Sequence, residues 1–161
     1  MVGIWWYGSH HSSGTAASKL VLQRSDLPGY KLNDSGTAKR FLPGLLTRYS
    51  VEYTLKDTSQ FGNSPLAIVS SVSIFKTSND AQVLFRTQAL LVRAAHLTRL
   101  AAPALGTESL LWLTARGKTC WLAWRSGRID ATVVTTGLEA GRRQETVRLG
   151  EQMQSRIAGA S

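Results

Sequence analysis

Residues 109–136 read Ser-Leu-Leu-Trp-Leu-Thr-Ala-Arg-Gly-Lys-Thr-Cys-Trp-Leu-Ala-Trp-Arg-Ser-Gly-Arg-Ile-Asp-Ala-Thr-Val-Val-Thr-Thr. The dipeptides Arg116-Gly117 and Ser126-Gly127 punctuate this stretch as tight turns. With those dipeptides at the turn centres, the segment folds into a three-stranded antiparallel meander of calculable register. One face then carries Leu113–Cys120–Val133, Leu111–Leu122–Ala131 and Trp124–Ile129, which are uniformly apolar and belong in a core. The other carries Trp112–Trp121–Thr132 and Leu110–Ala123–Asp130, a mixture of aromatic and polar groups. A slip of one residue would exchange the two faces, so the division is a strong constraint.

Upstream, Tyr49, Val51, Tyr53 and Leu55 alternate with Ser50, Glu52, Thr54 and Lys56, the pattern of a half-buried strand. After the Ser-, Asn-, Gly- and Pro-containing loop 57–65, Leu66–Lys76 reads as a second strand with Ile68, Val72 and Ile74 on one side. The two form a long hairpin. Ser78 or Asn79 then caps a helix whose apolar positions are Ala81, Leu84, Phe85, Leu91, Val92 and Ala95, ending by Pro103. A second helix over 138–157 carries Val147, Met153 and Ile157 as its buried stripe, with Gly141 and Gly150 weakening it. Before the hairpin, Lys19–Gln23 is a short strand or extended lead-in. Ser25–Tyr30 is a turn, 33–37 a loop, and 38–42 at most a short helix closed by Pro43-Gly44. The expected fold is α+β: an antiparallel sheet of about five strands, ordered hairpin, helix, three-stranded meander, helix, packed by two main helices.

The chain of 161 residues fits one domain with a real core. Residues 18–161 are taken as that domain. Residues 1–17 read as a disordered tail, a truncated anchor or a tag scar. The opening Met1–Tyr7 is far shorter than the roughly 20 residues of a membrane span and has no basic n-region. Lys and Arg outnumber Asp and Glu by 19 to 10, for a net charge of +9. The charge is spread over every segment, which gives general attraction to polyanions without the basic stripe of a specific nucleic-acid reader. Cys120 is the single cysteine, so no intramolecular disulfide can form, and its place in a strand makes it a small buried hydrophobe.

Certain short stretches resemble a known pattern: Asp26-Leu27-Pro28-Gly29-Tyr30; Ile74-Phe75-Lys76-Thr77-Ser78-Asn79-Asp80-Ala81; Leu105-Gly106-Thr107-Glu108-Ser109; Trp124-Arg125-Ser126-Gly127-Arg128; and Met153-Gln154-Ser155-Arg156-Ile157. Together they resemble small secreted or lipid-anchored domains of unknown function from actinobacteria and related lineages, similar in build to the PsbP-like α/β sandwiches. Thr107 stands where that pattern has aspartate. The resemblance implies an extracytoplasmic setting and a binding or scaffolding role, and it carries over no catalytic residue.

The residues themselves offer no catalytic motif. There is no Gly-x-Ser-x-Gly elbow, no HExxH, no P-loop and no dinucleotide fingerprint. His10, His11 and His96 lack metal-ligand spacing. Glu108, in a loop entering the meander, reads as a lone carboxylate with a structural contact. No catalytic, metal or cofactor site is expected, and the chain is read as a non-enzyme. The best binding surface is Trp112 and Trp121 with Arg125 and Arg128 at the turn, suited to a sugar, an aromatic or lipid ligand, or a partner protein. Packing of the two indoles beneath a helix is the competing reading. Partners are therefore an unidentified protein or small ligand, with an anionic polymer as a further option. A membrane contact is expected only through an N-terminal anchor. Two other functional classes stay open: a hydrolase whose Glu108, His96 and a serine converge only in three dimensions, and a basic polyanion-binding module.

Overall fold

The alternating segments become a single seven-stranded antiparallel sheet with helices on both faces, an α+β architecture, in the computed structural model of the chain. The structure describes residues 16–37, 42–57, 59, 64–95, 97–114, 116, 118–137 and 142–160. The strands are β1 (Tyr30–Thr37), β2 (Leu45–Leu55), β3 (Ala67–Phe75), β4 (Thr98–Leu100), β5 (Glu108–Leu113), β6 (Thr119–Ser126) and β7 (Ile129–Thr136). Their spatial order is β1-β2-β3-β7-β6-β5-β4. Two meanders, β1–β3 and β4–β7, thus meet at a central β3–β7 seam. Helix α1 (Ser78–Ala94) crosses one face of the sheet to link them. Helix α2 (Arg142–Gly159) packs on β6 and β7.

The sheet has two strands more than expected, one at each edge. The turn expected over 25–30 and the loop expected over 33–37 give way to strand β1 from Tyr30, although Lys-Leu-Asn-Asp-Ser-Gly is poor in strand formers. It is held as β1 by pairing with β2, with a register shift at Asn33, whose side chain donates to Glu52 at 2.9 Å. The three-residue β4 escapes any periodicity argument and forms by pairing with β5. The β2–β3 hairpin has the expected strands. The short helix expected over 38–42 lies mostly outside the described residues, as do His96 and Gly117.

The β5–β6 register is the expected one, with Leu113 opposite Cys120 and Trp112 opposite Trp121. The β6–β7 register is displaced by two residues. Ser126 opposes Ile129, Arg125 opposes Asp130 and Trp124 opposes Ala131, so the turn centre is Gly127-Arg128 and not Ser126-Gly127. Gly127 takes φ +58°, and a two-residue hairpin turn requires such a positive angle at its first central position. The expected register would also have set Arg125 against Arg128, like charges face to face; the observed one sets Arg125 against Asp130. A shift of two leaves every side chain on its assigned face.

The face under α2 is the main core. Leu111, Leu122, Trp124 and Val133 pack there with Ile68 and Val72, below Leu149, Met153 and Ile157 of α2 and Leu20–Leu22 of the lead-in. Ala17 belongs to the same core, inside a 3-10 turn over Ala16–Lys19. Trp124 is fully buried and donates its Nε1–H to Gln154 at 2.7 Å. Gly150 is a close-approach glycine: a Cβ there would overlap the Leu122 side chain. Asp26 joins the two ends of the domain by accepting from Gln152 at 2.8 Å and from Arg156.

The opposite face carries α1, whose N-cap is Thr77, one residue before the expected caps; its hydroxyl accepts from the Asp80 amide at 3.1 Å. The buried stripe is narrower than the sequence spacing implies. Ala81, Phe85 and Val92 are buried, whereas Leu91 and Ala95 are exposed.

Candidate functional site

The α1 face of the sheet changes character from one side to the other. On β5 and β6, Leu110, Trp112 and Ala123 form an apolar floor beneath Phe85 and Val92 of α1. On β2, β3 and β7 the floor is hydroxyl-rich, with buried Ser50 opposite Ser71, and Ser71 opposite Thr132. Crossing both halves is one continuous register row of five strands: Arg48, Ser73, Asp130, Arg125 and Glu108.

Strand alternation brings Trp112, Trp121 and Arg125 to this face together. The indoles stack with centroids 5.8 Å apart and planes inclined by 14°. Trp112 is only 6% exposed, sealed beneath α1, and Trp121 is half-buried beside it. Arg125 is buried, not displayed at a turn. Its Nε donates to Glu108 at 3.1 Å and its Nη1 to the Gly127 carbonyl at 3.1 Å. Glu108 is therefore not a lone carboxylate; it opens β5 and is paired. Arg128 stands apart from the other three, exposed in the turn, where its carbonyl accepts from the Phe75 amide at 2.9 Å.

Asp130 lies on the same face, opposite Arg125. It is 5% exposed, and neither carboxylate oxygen has a hydrogen-bond partner among the described residues. Burial pushes its carboxyl up to about 7, against the pull of the Arg125 and Arg48 guanidiniums, and Glu108 adds to the push. A buried acceptor without a donor costs about 1–3 kcal/mol, more when charged, and such groups are rare enough in native folds to need a reason. Asp130 could have been singled out once Arg125 was set opposite it. Arg48 could not, because its place in the row depends on the non-local β3–β7 seam.

Cys120, on the other face, is fully buried and burial raises its thiol pKa, which leaves it inert. Among the described residues no group of three or more His, Cys, Asp or Glu side chains could hold a metal ion. No described helix is long and apolar enough to cross a membrane.

No family model and no curated protein matches the sequence. The fold is similar to a solved structure, the extracellular domain of PknH from Mycobacterium tuberculosis. The TM-score is 0.57 at 8% identity, over 86% of this chain and 95% of that one. Likeness at that identity establishes the architecture that the two share.

Proposed function

We propose that this chain is an extracytoplasmic binding domain without catalytic machinery, and that its ligand engages the α1 face around Asp130. The setting is supported by the extracellular origin of the PknH domain with the similar fold and by the resemblance to secreted actinobacterial domains of PsbP-like build. The observation that carries the site is the buried, unpartnered Asp130 carboxylate in a row with two arginines. A carboxylate so placed accepts from an O–H or N–H donor, while the adjacent hydroxyls of Ser71 and Ser73 both donate and accept. A small hydroxyl- or amine-bearing ligand fits this set better than an anionic polymer, since the arginine beside Asp130 is already engaged by Glu108.

The test is a thermal-shift screen of polyols, sugars and amines against the wild type and Asp130→Asn at pH 6 and pH 8. The expected result is a compound class that raises the wild-type Tm and leaves the variant unmoved. Hits that stabilise both proteins equally would place the site elsewhere.

A further inference from the structure

Helix α1 is apolar on more sides than its seat requires. Ala81, Phe85 and Val92 face the sheet, yet Val83, Leu90 and Leu91 are 60%, 63% and 64% exposed. Val83 and Leu90, seven residues apart, lie on one outward line of the helix, with Leu91 on its flank. Arg86 and Arg93 are likewise seven apart, both exposed, and run along the other edge of that line. Asp80, held at the N-cap by Thr77, is the single acidic residue of the helix. Three large apolar side chains on the outward side of one helix exceed what a solvated face normally carries. Here the described residues cover one side.

We infer that the outer face of α1 docks on an anionic lipid surface, with Val83, Leu90 and Leu91 entering the headgroup boundary and Arg86 and Arg93 meeting lipid phosphates. The charge argues for this occupant: the outward basic edge lies on a chain of net charge +9, and arginine stems reach along apolar surface while their heads stay at the phosphate level. A second copy fits poorly. The three side chains present on the order of 300–400 Å² of apolar surface, well short of the roughly 800 Å² per partner of a stable interface. An antiparallel pairing of two α1 helices along this line would also bring the arginine edges together. A bilayer needs only shallow insertion of an apolar face, about 5–10 Å deep. This surface is separate from the Asp130 face and does not depend on it.

The experiment is co-sedimentation of the full chain with vesicles of phosphatidylglycerol and phosphatidylcholine, against vesicles of phosphatidylcholine alone. Wild type is compared with Leu90→Gln/Leu91→Gln and Arg86→Gln/Arg93→Gln, outward changes that leave the melt within a few degrees. Binding confined to the anionic vesicles is expected, weakened roughly tenfold by the leucine pair and roughly thirty-fold by the arginine pair. An environment-sensitive fluorophore on Leu90→Cys should shift to the blue on binding, and one on Lys31→Cys, in the far edge strand β1, should not. Buried Cys120 stays unlabelled in the folded chain. No binding, equal binding to neutral vesicles, or binding untouched by the leucine pair would overturn the inference. Self-association abolished by the leucine pair, with no vesicle binding, would overturn it in favour of a second copy.

Discussion

Asp130 and the arginines around it show how much a single position on a strand decides. An ordinary aspartate ionises near 3.8, whereas burial lifts Asp130 to about 7. Between those pH values the folded chain holds a proton that the unfolded chain has released. Stability therefore falls as pH rises through this window, and the full cost, on the order of 4 kcal/mol, is present above it. Asp130→Asn removes the ionisation but keeps a buried polar group. Urea denaturation at pH 5 and pH 8 should find the variant less pH-dependent, and at pH 8 more stable than wild type by about 1–3 kcal/mol. A wild type that gains stability from this residue on going to pH 8 would contradict the assignment. Arg125 and Arg128, equivalent in the sequence reading, should separate sharply in the same assay. Arg125→Met strips Glu108 and the Gly127 carbonyl of their donor and leaves Asp130 with one arginine fewer, at a cost of about 2–3 kcal/mol. Arg128→Ala, in an exposed turn, should stay within about 0.5 kcal/mol.

Among the elements, α2 and the meander explain what could be read in advance. Side-chain period and tight turns are local, so the faces of β5–β7 were legible from residues 109–136, and so was the Trp112–Trp121 pairing. The exact turn centre was not, since Ser126-Gly127 and Gly127-Arg128 are both plausible dipeptides until cross-strand charge is weighed. Edge strands were hidden for a different reason: β1 and β4 owe their conformation to the strand beside them and not to their own residues. Gly150 shows the same limit inside a helix. By propensity alone, Gly150→Ala should strengthen α2 by about 1 kcal/mol. The fully buried Leu122 side chain reverses the sign, because overpacking there costs about 1–3 kcal/mol. Thermal denaturation should show a lowered Tm for this substitution; a raised Tm would mean that α2 sits less closely than described.

Across the whole molecule, Asp26, Trp124 and the stretch 153–157 act as fastenings between distant parts. Asp26 accepts from Arg156, and Trp124 of β6 donates to Gln154 in α2. Asp26→Ala should accordingly cost about 3 kcal/mol in equilibrium unfolding, since it orphans the Arg156 guanidinium, the Gln152 amide and the Gln23 backbone N–H in one step. The candidate site has the opposite character: its row is assembled from five strands and exists only when the sheet is complete. That follows from the β3–β7 seam, and it bears on synthesis as well as on binding. The two strands at the seam lie roughly 60 residues apart in sequence, so loop closure between them is the costly, late step. Until residues 129–136 leave the ribosome, β3 has no partner along one edge, and a nascent chain paused before that point offers Ala67–Phe75 as an open template for any other strand. Yield in a cell should therefore depend on how quickly the stretch encoding residues 76–136 is read.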